Sequence, residues 1–503
     1  MPIAEYDTLD GLGLCDLVRR RQVTAAELLE EAIARAERAN PAVNAIVTPL
    51  YDAARREAAA ASPRGDEDRR PFAGLPLLVK DLEAAVAGTP LAGGSRFLRA
   101  YKPARDAEIV TRFRRAGAII FGKTNTPELG ITPFTESEAF GPARNPWDLA
   151  RTPGGSSGGA AAAVAAGIVP IAHGTDGGGS IRIPASCCGL FGLKPTRART
   201  PVGPDASEVW SGLVIPHVLT RSVRDSAAML DAIAGPERTA PYWAPPQARP
   251  YLAEVGAPPG RLRIALTKRP HLGTTPVHPD CAAAADDAAK LLADLGHHVE
   301  EADLDIDNAA FVRDFFAIVC LEVAAIVARA EQALGRRAGR RDLETSTRIT
   351  AAIGRQKSAL AIALIRDRFD EISRRVAAFY ERFDLVLSPT LGTPPPLIGA
   401  LLPKGLEAFG QEVLVTLHLE ALLRLPGVVD ASIRRVFAFI PFPPLENVTG
   451  QPAMSVPLSW NATGLPIGVQ VAARFGDEAT LFRVAGQLEA ARPWNQRRPP
   501  TTR

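Results

Sequence analysis

The 503-residue chain sets 58 lysines and arginines against 55 aspartates and glutamates, a net charge of +3 with 46% hydrophobic residues. That balance is ordinary for a globular protein and too even for a surface that binds nucleic acid or an anionic membrane. No uncharged apolar run reaches the roughly 18 residues of a membrane span, and the five cysteines, odd in number and without CxxC spacing, fit neither a disulfide framework nor a zinc site.

The opening MPIAEYDTLDGL has neither the basic start nor the apolar core of a signal peptide, so a cytoplasmic location is expected. The sequons Asn447-Val-Thr449 and Asn461-Ala-Thr463 then carry no weight. Thr24-Ala-Ala-Glu27 reads as a capping box opening a helix that runs to about Asn40, before Pro41. Leu28, Leu29, Ile33 and Ala36 form its apolar stripe, with Glu30, Glu31 and Arg35 outward. A second helix is predicted from about Tyr51 to Ala61, and the charged stretch Ser62 to Pro71 reads as an exposed loop.

Pro76-Leu-Leu-Val79 is an apolar run of buried-strand type that ends at Lys80. By itself, Lys80 followed by Asp81 reads more readily as half of a surface ion pair than as a functional lysine. Asp106 to Ala116 reads as helix and Ala118 to Phe121 as the next strand. Gly117 to Thr124 matches GxxxxGK[ST] letter for letter. Strand-forming residues stand between its glycines, however, where a phosphate loop needs exposed amides, and Pro127 follows where a helix should continue. Nucleotide binding is therefore rejected.

From Arg151 to Thr196 the chain reads RTPGGSSGGAAAAVAAGIVPIAHGTDGGGSIRIPASCCGLFGLKPT. Two glycine clusters, each holding serine, flank an alanine-rich run of high helix propensity. A flexible linker would not be interrupted by such a run, nor followed by Ile181-Arg182-Ile183-Pro184. A tight Gly177-Gly178-Gly179 turn entering Ser180 can aim several backbone N–H groups at one spot, which an oxyanion hole requires. Gly154-x-Ser156-x-Gly158 also matches a nucleophile elbow. That alternative makes Ser156 the nucleophile and draws on the histidines from His217 to His418, but Asn145 to Pro153 is a poor strand to precede it.

Beyond Arg221, helices and strands alternate. Strands are predicted at Arg261–Leu266, from His298, and at Asp384–Pro389, Met454–Pro457 and Ile467–Val471. Helices are predicted at Pro279–Leu295, Asn308–Gly335, Thr345–Phe383 and Ala479–Ala491. The alternation argues for an α/β protein with one mixed or parallel sheet covered by helices. Pro394 to Pro444 is studded with proline and carries Leu401, Leu414, Leu419, Phe437, Phe439 and Phe442. It reads as a mobile lid over an apolar pocket, or equally as core beneath a surface loop.

The glycine stretch, together with Leu78-Val-Lys-Asp-Leu82, Gly122-Lys-Thr-Asn125, Asn447 to Ala453 and Gly464 to Gly468, resembles the amidase signature family of serine hydrolases, over nearly the whole chain. Asn145-Pro-Trp147, Leu488 to Trp494 and the placement of Cys320 resemble bacterial members of it that act on cyclic amides. The resemblance implies a single amidase-signature domain with a mixed central sheet and helices on both faces. Its expected parts are N-terminal helices (about 1–62), a catalytic core (about 72–235), a variable pocket region (about 300–445) and a C-terminal core segment (about 446–495). It further implies a Ser-cisSer-Lys triad in which Ser180 is the nucleophile, Lys80 the base and Ser156 the bridge. A lysine serves as base only when neutral, and burial favours that form. The amides from Gly177 through Gly178 and Gly179 to Ser180 would hold the oxyanion, Asp176 and Arg182 would brace the loop, and Cys320 and Phe439 would line the pocket.

No cofactor and no metal are expected, and the partner is a small-molecule amide, with esters or carbamates also in range. A homodimer is allowed for. The competing readings are an elbow-type esterase, the amidase subunit of a tRNA-dependent transamidation complex, and a catalytically inactive binding protein.

Overall fold

The computed structural model describes residues 3–60, 70–238, 240–417, 419 and 430–500. The loop expected at Ser62 to Pro71 therefore falls mostly outside the described residues, as does His418.

In chain order the strands are β1 (Ile46–Pro49), β2 (Pro76–Lys80), β3 (Ile119–Thr124), β4 (Glu136–Ser137), β5 (Gly141–Pro142) and β6 (Ile171–Asp176). They continue with β7 (Phe191–Lys194), β8 (Ile215–Thr220), β9 (Arg263–Leu266), β10 (His298–Glu301), β11 (Leu385–Pro389), β12 (Ala453–Trp460) and β13 (Pro466–Ala473). Eleven of them form one sheet in the order β1-β3-β2-β6-β8-β7-β12-β13-β11-β9-β10, while β4 and β5 pair separately. The sheet is mixed: β3-β2-β6 and β11-β9-β10 run parallel, and the strands between them pair antiparallel. Every residue of β2, β3, β6 and β8 is buried, so both faces of the sheet are covered there.

Local chemistry accounts for most element boundaries. Thr24 and Glu27 form both bonds of the capping box. The helix they open continues past Pro41 to Val43 and closes on Asn44 in the left-handed conformation. The stretch predicted as one helix from Thr345 to Phe383 is two, Thr345–Arg355 and Ala359–Arg382. Ser358 starts the second by accepting from the Ala361 N–H. In the rejected nucleotide-binding match, Gly122-Lys123-Thr124 lies within β3. Lys123 is buried there against Asp81 at 3.7 Å and donates to the Pro90 carbonyl.

The topology creates the site by bringing two chain segments to one edge. β2 and β6 are parallel neighbours, with Leu78 opposite Ala172, so Lys80 and the loop after Asp176 leave the sheet at the same edge. The crevice outside the carboxyl ends of parallel strands is where open α/β sheets bind ligands.

Candidate active site

Lys80, the last residue of β2, is completely buried. Its Nζ donates to Ser156 Oγ at 2.7 Å and to Thr175 Oγ1 at 2.9 Å. Burial lowers its pKa to about 8, against the opposing pull of the Glu83 and Asp176 carboxylates. A population of neutral amine follows at mildly alkaline pH.

Ser156 lies in the loop before the helix Gly158–Ala165, whose eight residues are all buried. The Gly155–Ser156 peptide is cis. A β carbon at Gly155 would stand 2.6 Å from the Phe134 backbone nitrogen, so only glycine fits. The residues before Ser156 form no strand, so the elbow geometry is not present. Ser157 joins the two glycine clusters. Its N–H donates to the Ser180 carbonyl at 3.2 Å, and its hydroxyl donates to the Thr175 carbonyl at 3.2 Å while accepting from the Thr175 N–H.

The turn from Asp176 to Ser180 is fastened from beneath. The Asp176 carboxylate accepts from the N–H groups of Gly179 (2.7 Å) and Ile181 (3.2 Å), from the Arg182 guanidinium (3.0 and 3.1 Å) and from the Asn447 amide (2.9 Å). Burial alone would raise its pKa; Arg182, Lys194 and Asn447 overcome that and hold it at about 2. Arg182, itself fully buried, also donates to Glu446 at 2.9 Å, Gln470 at 2.8 Å and Asn447 at 2.6 Å. Asp176 and Arg182 thus tie the glycine turn to the C-terminal part of the sheet.

This bracing changes one expectation. The Gly179 N–H, assigned from sequence to an oxyanion hole, is committed to Asp176. Among the described residues, the N–H groups of Gly177, Gly178 and Ser180 have no hydrogen-bond partner. Gly179 serves the turn through its conformation instead: its φ is +114°, and a β carbon would meet Pro443 at 2.6 Å.

Ser180 and Gly178 open onto a cavity of about 180 Å³. Its walls are mostly apolar, and among the described residues none that line it is charged. Phe315, Phe316 and Val319 come from the helix Asn308–Leu334, and Trp210 from the loop before β8. Leu401, Gln411, Ile433 and Phe437 come from the segment predicted as a lid.

Two expected wall residues are not at the wall. In the helix Asp430–Phe439 the cavity-facing positions are Ser432, Ile433, Val436 and Phe437, continued by Ile440. Phe439, about 200° further round than Phe437, is buried in the core. Cys320 is also fully buried, in the seam with the helix Thr345–Arg355, where its carbonyl would stand 2.0 Å from a β carbon at Gly354. Burial pushes its thiol up to about 12, which leaves it inert.

Sequence reasoning missed Thr175, Glu83 and His173. Thr175 accepts from Lys80. Glu83 sets a buried carboxylate oxygen with no described partner near the same amine. His173 Nδ1 accepts the Lys80 backbone N–H at 3.3 Å, and burial, then Lys80, lower its pKa to about 3. Adjacency of Thr175 to the second glycine cluster was the one available signal. Asn447 appeared only inside a quoted motif and a dismissed sequon, yet its amide is buried and bonded to Asp176 and Leu213. Among the described residues no histidine is bonded to Ser156 or Ser180.

The model of the family described as Amidase matches residues 27–482. The 6-aminohexanoate-cyclic-dimer hydrolase of Pseudomonas sp. (strain NK87) is 38% identical over 498 residues, covering 97% of this chain and 96% of that protein. The solved structure of 6-aminohexanoate cyclic dimer hydrolase complexed with substrate superposes with a TM-score of 0.88 at 37% identity, covering 100% of both chains. A bacterial aryl acylamidase of the amidase signature family follows at a TM-score of 0.85 and 27% identity, over 97% of each chain.

Proposed function

The chain belongs to the amidase signature family, hydrolases of carbon–nitrogen bonds in amides, and from that premise we propose that it cleaves neutral, largely apolar amides through an acyl-enzyme on Ser180. The observation that carries this reading is the 2.7 Å contact between the buried Lys80 amine and Ser156, beside a glycine turn whose Ser180 opens onto a cavity lined, among the described residues, by uncharged side chains.

Neutral Lys80 draws a proton from Ser180 through the Ser156 hydroxyl, which both accepts and donates. Ser180 Oγ attacks the carbonyl carbon, and the N–H groups of Gly177, Gly178 and Ser180 receive the developing negative charge. The protonated lysine returns its proton by the same route to the departing amine, and the C–N bond breaks. Water then attacks the acyl-enzyme with Lys80 again as base, releasing the acid and free Ser180. The named relatives extend the substrate reading to cyclic and aryl amides, and the cavity walls suit both.

A fluorophosphonate probe with peptide mapping tests the assignment. Label is expected on the Ser180 peptide and lost in Ser180→Ala. Label on Ser156 instead would overturn it.

A further inference from the structure

The cavity beside Ser180 holds a side-chain amide whose orientation is fixed by its surroundings. Gln411, in the helix Gly405–Thr416, lines the cavity and is only 6% exposed. Its side-chain amide approaches Ser432 Oγ at 3.4 Å. Ser432 in turn donates its hydroxyl proton to Glu407 at 2.6 Å, and Arg435 donates to both Glu407 (2.8 Å) and Ser432 (3.2 Å). The Arg435 guanidinium holds the Glu407 carboxyl below its usual range, so Glu407 only accepts. With its single proton committed to Glu407, Ser432 can offer Gln411 nothing but lone pairs. The Gln411 amide must therefore turn its NH₂ to Ser432, which leaves its carbonyl oxygen, Oε1, without a partner among the described residues.

The other polar side chains of the cavity offer only hydroxyl lone pairs or an indole N–H, weaker acceptors than this amide oxygen or none. Thr132 donates to the Phe134 carbonyl at 2.8 Å and Thr350 to the Ser346 carbonyl at 2.7 Å. Ser346 has no described side-chain partner and so no fixed direction. An acceptor held in place inside apolar, uncharged walls discriminates strongly, because an unmatched buried polar group costs its full desolvation.

We propose that Gln411 is a specificity residue that accepts a hydrogen bond from an N–H donor on the substrate remote from the scissile bond. The preferred substrate is then a neutral compound with a second N–H, such as a diamide, over an isostere that lacks it. This rests on reading the Ser180 cavity as the substrate pocket.

The test uses a linear diamide carrying a secondary amide at its far end, and the same compound N-methylated there. Binding to the Ser180→Ala protein is measured by calorimetry, which requires no turnover. The N–H compound is expected to bind about tenfold more tightly than its N-methyl partner. That preference should vanish in Ser180→Ala/Gln411→Leu and shrink in Ser180→Ala/Ser432→Ala, where the amide is free to flip. In the active enzyme the kcat/KM ratio of the two compounds should collapse in parallel. An equal preference with and without Gln411, or no preference in Ser180→Ala alone, overturns the proposal. Failure of the active enzyme to take the fluorophosphonate probe on Ser180 would instead overturn the catalytic assignment.

Discussion

Lys80 is the residue on which the proposed chemistry turns, and its protonation sets the pH dependence. Burial lowers its pKa to about 8, so the amine is charged and useless as a base below that value and neutral above it. The neutral fraction grows from about a tenth at pH 7 to about nine tenths at pH 9, so kcat/KM on an uncharged amide is expected to rise about tenfold across that interval. A profile that falls over the same range would contradict a lysine base. Ser180→Ala should abolish turnover in a stopped assay with a chromogenic anilide. Ser156→Ala, which removes the relay but keeps the nucleophile and its amides, should retain a measurable residue of rate.

Among the elements, the turn from Asp176 to Ser180 is held by a buried ionic network that reaches Glu446 and Asn447. Arg182→Met leaves Asp176 and Glu446 buried without the cation they are hydrogen-bonded to. Loss of one partner from such a network costs about 3–5 kcal/mol, and a urea midpoint lowered accordingly, with reduced labelling of Ser180, is the expected outcome. An unchanged midpoint would show that the network does not bear on the fold. The helix Asp430–Phe439 separates packing from selectivity within one turn. Phe439→Ala should lose roughly 3–5 kcal/mol of stability as a core cavity while leaving the ratio of rates on bulky and small amides intact. Phe437→Ala, at the cavity wall, should shift that ratio. The reverse pattern would put the two rings in each other's places.

At the scale of the molecule, residues from 130 to 440 meet around one cavity whose lining, among the described residues, includes no charged side chain. Bringing a carboxylate into such a space requires its desolvation without a partner. An amide bearing a terminal carboxylate should therefore be cleaved at least about a hundredfold less efficiently than its neutral methyl ester or primary amide counterpart. Comparable kcat/KM values would reveal a cation that serves the pocket. Among the described residues no cluster of three histidine, cysteine or carboxylate groups is placed to hold a metal, and no described helix is long and apolar enough to cross a membrane. Prolonged dialysis against EDTA should leave the rate unchanged; a loss restored by zinc would overturn the serine chemistry.

What the sequence determined by itself was the local and the covalent. The capping box at Thr24, the buried strand ending at Lys80 and the glycine turn entering Ser180 are all dictated by residue types a few positions apart. The false nucleotide loop at Gly117 could be refused for the same reason, since strand formers occupied the place of exposed amides. The sequence also sufficed to name the family, because its glycines stand where neighbouring backbone leaves no room for a β carbon, as at Gly155 against Phe134. The tertiary structure alone decided which groups face one another. Thr175 meets Lys80 only because β6 lies parallel to β2, and Asn447 meets Asp176 across 271 positions of sequence. It also decided that the Gly179 amide braces the turn, that Phe437 and not Phe439 reaches the cavity, and that Cys320 packs a helix seam. Each of these depends on the rotation or register of an element against a distant neighbour, and hydrophobic pattern fixes that a residue is buried without fixing what it is buried against.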